Sequence, residues 1–251
     1  MYYKIVNHDF KNRNFQYTLG INIFPTSFQY DKKDSGLYLC QKKHIAKWLK
    51  LYKEPILCEA SLCPDSLIEI GHKKIKTDQF ILKNPLPIRE FFEQQSEFEL
   101  GSILHEDGML LEYVSRQTPY LCFTAVKQNG RAIKFVHEPF YELYKEALKQ
   151  NGRAIQYIPN PSTELCLIAV KQNGLSLQFI KEKSNSVCLM AVHQNGLALR
   201  FVPIQSPYIC KVAVMQNGLA LQFVRIQTSE LCDLAVMQNA FAKHYIRKES
   251  L

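Results

Sequence analysis

The stretch ICKVAVMQNGLALQFV, residues 209–224, decides the fold because close copies of it recur along the chain. The glycine of its Asn-Gly pair belongs to a series with a spacing of 22 residues. The series consists of Gly108, Gly130, Gly152, Gly174, Gly196 and Gly218, with Ala240 in the seventh position. A fixed period of this length is typical of proteins in which each repeat is one supersecondary unit. The sequence therefore predicts seven 22-residue repeats between residues 95 and 251.

Each repeat carries its own helix signals. Twelve residues before the glycine position lies a column of N-cap residues with serine or threonine in six of seven repeats: Ser96, Thr118, Phe140, Ser162, Ser184, Ser206 and Thr228. Pro119 and Pro207 follow two of these caps, at the first helical position that proline tolerates best. The Asn-Gly pair suggests a left-handed C-terminal cap. A shorter apolar segment such as 219–224 follows, so the pattern predicts a helix-turn-helix unit.

The repeats must stack on one another. An unbroken alanine column, from Ala125 to Ala235, marks the buried face of the first helix in repeats 2 to 7 and suits a close approach between helices. A unit of 22 residues cannot bury its own apolar face, so neighbouring copies must cover it. Atypical residues at the ends, such as Ile103 and Glu106 in the first repeat and Lys243 in the last, suit terminal repeats. The prediction is an all-α solenoid over residues 95–251.

Residues 1–90 lack the repeat and read as a separate α+β domain. Six segments rich in β-branched and aromatic residues predict strands: 2–6, 16–24, 36–40, 56–62, 67–70 and 79–82. The segment 41–52 predicts one basic helix with Ile45, Trp48 and Leu49 on its inner face. Pro85 and Pro87 mark the predicted join to the solenoid.

Two parts of the chain resemble known repeat proteins. The segments AVKQNG, AVHQNGLAL and AVMQNGLALQFV resemble an uncharacterised helical repeat family of bacteria and of giant viruses of amoebae, over roughly residues 110–246. The segments YYKIVN, FQYTLGINI, SGLYLC and KIKTDQFIL are similar to the N-terminal module of giant-virus repeat proteins. The resemblance implies a giant-virus protein with an α+β domain before the repeats, and it implies no activity.

Composition and charge describe an ordinary folded chain. Hydrophobic residues make up 47% and charged residues 22%, which excludes a disordered protein. The net charge is +8, and residues 1–90 hold 15 Lys/Arg against 9 Asp/Glu, so an acidic partner would meet this region first. Neither a secretory signal nor a membrane-spanning run is expected. We therefore expect a cytoplasmic protein, in the host cytoplasm if viral, with reduced cysteines.

The candidate binding residues form two columns beside the Asn-Gly pairs. The first column consists of Lys127, Lys149, Lys171, His193, Met215 and Met237. The second consists of Arg131, Arg153, Leu175, Leu197, Leu219 and Phe241. Both change from cationic to apolar toward the C-terminus, and solenoids bind partners along such surfaces. The sequence thus predicts a non-catalytic scaffold that binds another protein, although the leucines of the second column suit packing between repeats.

Two other functions remain open at this point. A nucleic-acid-binding protein would use the basic helix, with Lys42, Lys43, Lys47, Lys50 and Lys53, together with the Lys and Arg residues of repeats 2–4. An enzyme, for instance a transferase with a strand-lined cleft, would have its site in the N-terminal domain. The chain has no nucleophile elbow, phosphate-binding glycine loop or zinc-protease motif. No catalytic residue, cofactor or small-molecule substrate is therefore predicted.

The eight cysteines offer two metal or disulfide alternatives. Cys122, Cys166, Cys188, Cys210 and Cys232 recur with the repeat, but consecutive copies are expected too far apart for a disulfide, which favours small core residues. Cys40, His44, Cys58 and Cys63 could in principle bind zinc, yet their spacing matches no standard finger. We predict no metal site.

Overall fold

A computed structural model describes residues 2–12, 15–33, 35–49, 52 and 54–247, except for the side chains of Asn12 and Lys43. The chain divides into two compact units, Met1–Ala125 and Val126–Leu251, and each is described by itself. The first contains the predicted α+β domain, the first repeat and the start of the second repeat up to Ala125, and the second contains the remainder of the repeats. The boundary predicted at residues 90–95 stays a prediction.

The N-terminal unit is built on an antiparallel sheet. Its strands are β1 (Tyr2–Val6), β4 (Gly20–Ile23), β5 (Leu37–Gln41), β6 (Ile56–Leu62), β7 (Ile68–Ile70), β8 (Ile75–Thr77) and β9 (Gln79–Pro87). Among the described residues they lie in the order β4-β9-β6-β1-β5-β8-β7, and β2 (Lys11–Asn12) pairs separately with β3 (Phe15–Gln16). Val6, Leu39, Cys58 and Phe80 belong to a buried hydrophobic cluster of this sheet.

Most of the predicted strands are confirmed, and the differences have local causes. The predicted strand 16–24 is interrupted after β3 and resumes at Gly20, the first residue of β4, which adopts φ 98°. Pro85 lies inside β9, and Pro87 is the last residue of that strand. They are tolerated there because β4 pairs only with Gln79–Leu82, and because the β6–β9 register shifts between Leu57 and Glu59.

The predicted basic helix is shorter than expected. It consists of a 3₁₀ turn, Lys42–His44, followed by α1 (Ile45–Leu49). Ile45 and Leu49 are buried as predicted, and Trp48 is half-buried. A second short helix, α2 (Ile88–Glu93), follows β9 and buries Phe91 and Phe92.

From residue 97 the chain repeats one unit, which confirms the predicted solenoid fold class. Each unit has an α-helix of ten residues: α3 (Glu97–Glu106), α4 (Pro119–Gln128), α5 (Tyr141–Gln150), α6 (Thr163–Gln172), α7 (Asn185–Gln194), α8 (Pro207–Gln216) and α9 (Ser229–Gln238). A six-residue 3₁₀ helix follows each one, at Gly108–Tyr113, Gly130–Phe135, Gly152–Tyr157, Gly174–Phe179, Gly196–Phe201, Gly218–Phe223 and Ala240–Tyr245. The short second segment of the repeat is therefore a 3₁₀ helix.

The helix starts are those that the hydroxyl column predicts. Ser162 accepts a hydrogen bond from the Leu165 amide, and Ser96 and Glu99 form a full capping box. The left-handed cap expected at Asn-Gly is wrong. Asn151 is extended, with φ −150°, and its Oδ1 accepts from the Arg153 amide at 3.0 Å. The asparagine thus caps the 3₁₀ helix that follows.

The repeated glycine is required by close packing between repeats. A Cβ on Gly152 would stand 2.2 Å from the Ala169 carbonyl oxygen of the next repeat. Equivalent Cβ positions at the other five glycines would stand 2.1–2.4 Å from the corresponding alanine oxygens. A hydrogen fits where a methyl group cannot, so the glycine and alanine columns together define the distance between repeats.

A glutamine of each later repeat fastens it to the one before. Gln172 Oε1 accepts from the Gly152 amide at 2.7 Å, and its Nε2 donates to the Gln150 carbonyl at 3.4 Å. Gln150, Gln194, Gln216 and Gln238 accept from the preceding glycine amide in the same way, at 2.5–2.6 Å. Because buried backbone amides need a partner, this side chain completes the junction between repeats.

Candidate binding surface

The first candidate column is exposed along its whole length. Lys127, Lys149, Lys171, His193, Met215 and Met237 each precede the last residue of their helix, and each is exposed. The position lies two residues after the buried alanine and one before the glutamine that fastens the repeats. Lys149 and Lys171 form no ion pair within the part of the chain that the structure describes. Their charges are therefore available to a partner.

The C-terminal end of this column is an exposed apolar region. Met215 is 59% exposed and Met237 is 84% exposed. Phe241, at the end of the second column, is 71% exposed. Apolar side chains grouped on a surface mark interaction sites more often than isolated ones do. Sequence reasoning selected this region, but it did not single out the exposed Ile204 and Ile226 in the loops between repeats.

The second column contributes partly to contacts between repeats. Leu175, Leu197 and Leu219 are half-buried. The two arginines are exposed, yet each contacts an aromatic ring one repeat further on. Arg131 Nη2 lies 3.3 Å from the Tyr157 hydroxyl, and the Arg153 guanidinium lies 5.6 Å from the centre of the Phe179 ring. These five positions therefore have a structural role whether or not they bind a partner, whereas Phe241 is exposed.

The basic helix presents fewer available cations than the sequence suggested. Lys42 Nζ lies 2.5 Å from Glu99 Oε1, and its hydrogen bond holds the pKa of that carboxyl down at about 2. Lys47 is exposed. Lys50 and Lys53 lie outside the described residues, as does the side chain of Lys43. Of the five lysines assigned to nucleic acid, one is thus engaged in an ion pair within its own unit.

Seven of the eight cysteines lie in the core, and Cys63 is half-buried. The five repeat cysteines are buried, and burial raises the pKa of the Cys188 thiol. Cys40 and Cys58 are buried on β5 and β6, where burial raises their pKa values to about 12 and about 11. Among the described residues no three His, Cys, Asp or Glu side chains converge as metal ligands. Neutral thiols in an apolar core act as small packing residues.

Sequence reasoning missed a cavity in the N-terminal unit. It has a volume of about 790 Å³ and is lined by residues of β1, β5 and the neighbouring loops, with Lys4 among them. Lys4 is only 5% exposed. The available signal was strand alternation: Tyr2, Lys4 and Val6 share one face of β1, which puts a lysine on an otherwise apolar face.

Comparisons with known proteins concern the repeats alone. A family model described as a domain of unknown function, DUF4116, matches residues 118–161, 140–184 and 162–205. No curated protein and no solved structure shows significant similarity to the chain. Within the described residues, no helix is both long and apolar enough to cross a membrane. The family match overlaps successive 22-residue units, in agreement with the repeat seen in the structure.

Proposed function

We propose that the chain is a non-catalytic scaffold that binds a protein partner along the first column of the repeats. The observation that carries the proposal is the exposure of Met215 and Met237 at equivalent positions of adjacent repeats. Flexible methionine side chains at a surface suit contacts that adapt to a partner. Nothing in the stacking of repeats requires an apolar residue at this position, because Lys149 and Lys171 occupy it in earlier repeats.

The order of residues along the column defines the chemistry of the partner. Repeats 2 to 4 present lysines, with Arg131 and Arg153 beside them, whereas repeats 6 and 7 present methionines and Phe241. A complementary partner carries acidic residues toward the first part and apolar residues toward the second. Charges at the edge of an interface mainly affect association rate and specificity, while apolar anchors supply affinity. We further propose a cytoplasmic encounter in the host of a giant virus, on the strength of the resemblance alone.

The experiment is affinity capture from infected or host cells with the full chain as bait, followed by mass spectrometry and titration of the captured protein. Two double variants test the two ends of the column. Met215→Ser with Met237→Ser removes the apolar anchors, and Lys127→Glu with Lys149→Glu reverses the cationic end. We expect each pair to weaken binding by about tenfold or more without changing the far-UV circular dichroism spectrum.

A matched control makes the same two charge reversals at positions outside the first column. Lys134→Glu with Lys181→Glu reverses two exposed lysines of the same unit, and we expect at most a small change in affinity. Equal affinities for the wild-type chain and both column variants would reject the proposal. Capture of DNA or RNA with a steep dependence on salt would instead support the nucleic-acid alternative.

A further inference from the structure

The cavity of the N-terminal unit lies where the sheet divides. Strands β1 and β5 pair only through Tyr2–Gln41 and Tyr3–Cys40, although both strands continue beyond those pairs. Past Tyr3 the two strands separate, and the Lys4 ammonium donates to the Tyr38 carbonyl of β5 at 3.1 Å. The lysine side chain thus takes the place of a missing strand contact and borders the cavity.

The charge of Lys4 is not compensated by a carboxylate. Lys76, the comparably buried lysine of β8, donates to Glu69 Oε2 at 2.5 Å and to the Gln29 carbonyl at 2.7 Å. Lys4 has the Tyr38 carbonyl and the face of the Tyr17 ring at 4.4 Å, and no carboxylate of the described residues forms an ion pair with it. A buried cation is costly unless an anion faces it.

The walls of the cavity offer cations, hydrogen-bond donors and aromatic surfaces. Lys33 and Lys74 join Lys4 in the lining, and the described lining residues include no Asp or Glu. The indole Nε1 of Trp48 is buried there without a hydrogen-bond acceptor in the described structure. Phe24 and Tyr52 add further aromatic surface. A second, smaller cavity differs in that Glu59 belongs to its lining.

We propose that this cavity binds a small organic anion with a planar apolar body, whose carboxylate, sulfonate or phosphate group contacts Lys4. The size suits such a ligand, since small-molecule sites typically measure about 300–1,000 Å³. An oxyanion supplies the acceptors that Lys4 and Trp48 lack, and its ring packs on the aromatic walls. This site is independent of the scaffold function of the repeats.

The protonation of the surrounding groups makes the ionic contact testable by pH. Burial lowers the pKa of Lys4 to about 8, and burial together with Lys33 also lowers the pKa of Lys74. The facing thiols of Cys58 and Cys40 have pKa values raised by burial to about 11 and about 12, and burial raises that of the Tyr17 hydroxyl as well. Between pH 6.5 and 9.5 the Lys4 amine loses its charge, while the Cys40 and Cys58 thiols and the Tyr17 hydroxyl stay neutral.

The test uses two fluorescent probes with the same ring system on the full chain. 1-Anilinonaphthalene-8-sulfonate is anionic, and N-phenyl-1-naphthylamine is its neutral counterpart. Trp48 is the only tryptophan of the 251 residues, so energy transfer from tryptophan reports probe bound near this cavity. We expect transfer to the sulfonate, with affinity falling about tenfold or more from pH 6.5 to 9.5, and little change for the neutral probe.

Two variants locate the effect at Lys4. Lys4→Met should weaken sulfonate binding about tenfold, abolish most of its pH dependence and leave the neutral probe within about twofold. Lys83→Met removes an exposed charge of the same sheet outside the cavity and should leave both probes unchanged. If the sulfonate binds the wild-type chain with no energy transfer or no pH dependence, or if Lys4→Met weakens both probes equally, the proposal is overturned. The wild-type pH titration decides the question even if Lys4→Met fails to fold.

Discussion

The glycine column allows a direct test of what sets the spacing of the repeats. Gly152→Ala adds one methyl group, and its carbon would stand 2.2 Å from the Ala169 carbonyl oxygen and 3.0 Å from Gln172 Oε1. A carbon and an oxygen in ordinary contact are about 3.3 Å apart, so the two repeats must separate by about 1 Å. Because the oxygen belongs to the backbone of α6, no side-chain rotation relieves the overlap.

The expected cost follows from three contributions. Overpacking of a tight interior costs about 1–3 kcal/mol, and weakening the hydrogen bond from the Gly152 amide to Gln172 costs about 1 kcal/mol more. Gly152 does not have a positive φ, so alanine can adopt the same backbone conformation. Alanine also lowers the conformational entropy of the unfolded chain, which offsets the cost by about 0.5–1 kcal/mol. We expect Gly152→Ala to lower the free energy of unfolding by about 1–3.5 kcal/mol.

The control is the seventh position of the same column. Ala240 is exposed, and no repeat of the part of the chain that the structure describes stacks on it, so Ala240→Gly should cost only about 0.5–1 kcal/mol of backbone entropy. Urea unfolding followed by far-UV circular dichroism measures both changes. Hydrogen exchange should show the loss of protection centred on the junction between Gly152 and α6. A shift in the unfolding midpoint no larger for Gly152→Ala than for Ala240→Gly would refute the steric explanation.

Three other predictions concern stability. Ser176→Ala should raise the free energy of unfolding by about 1 kcal/mol in urea titrations, because the Ser176 hydroxyl is fully buried without a partner in the described structure. Gln172→Ala should lower it by about 1–2 kcal/mol, since the Gly152 amide loses its acceptor. Lys4 has a pKa of about 8 when folded against 10.5 when exposed. Between those pH values the unfolded chain holds a proton at Lys4 that the folded chain lacks, so this group alone adds up to about 3 kcal/mol of stability from pH 8 to 10.5. The buried thiols act in the opposite direction in both proteins, because burial raises their pKa values. The stability of the wild-type chain relative to Lys4→Met should therefore rise by up to about 3 kcal/mol between the two pH values in urea titrations.

The repeat fold could be predicted because the same helix signals recur along the seven repeats. A single serine that could cap a helix, or a single Asn-Gly pair, fits several local structures. Recurrence every 22 residues excludes most of these alternatives. The serine and threonine N-caps and the buried alanine face of the first helix could be predicted directly from this recurrence. The role of Asn-Gly did not, because a left-handed cap and a close contact both favour glycine, and only the position of the next repeat distinguishes them.

The cavity could not be predicted from the sequence, for a different reason. Its existence depends on β1 and β5 separating after Tyr3, and strand pairing is set by contacts distant in sequence. The lysine within YYKIVN could be placed on the apolar face of a strand. Nothing in the sequence, however, showed that β5 would end its pairing there, or that Trp48 would line the same space. Binding residues assembled from separated segments need the tertiary structure.

A repeat position indicates a partner only where packing between repeats does not dictate its residue. Gly174, Ala191 and Gln194 are fixed by the junction between two repeats, so their constancy records stacking and nothing else. The exposed position between Ala191 and Gln194 is His193, and no contact within the repeat requires a particular residue there. Random drift at a free position would scatter charged and apolar residues along the column. The observed order instead passes from three lysines through His193 to two methionines, in step with the change from arginine to leucine and phenylalanine in the second column. We propose that a partner with an acidic and an apolar end is the common cause of this joint change.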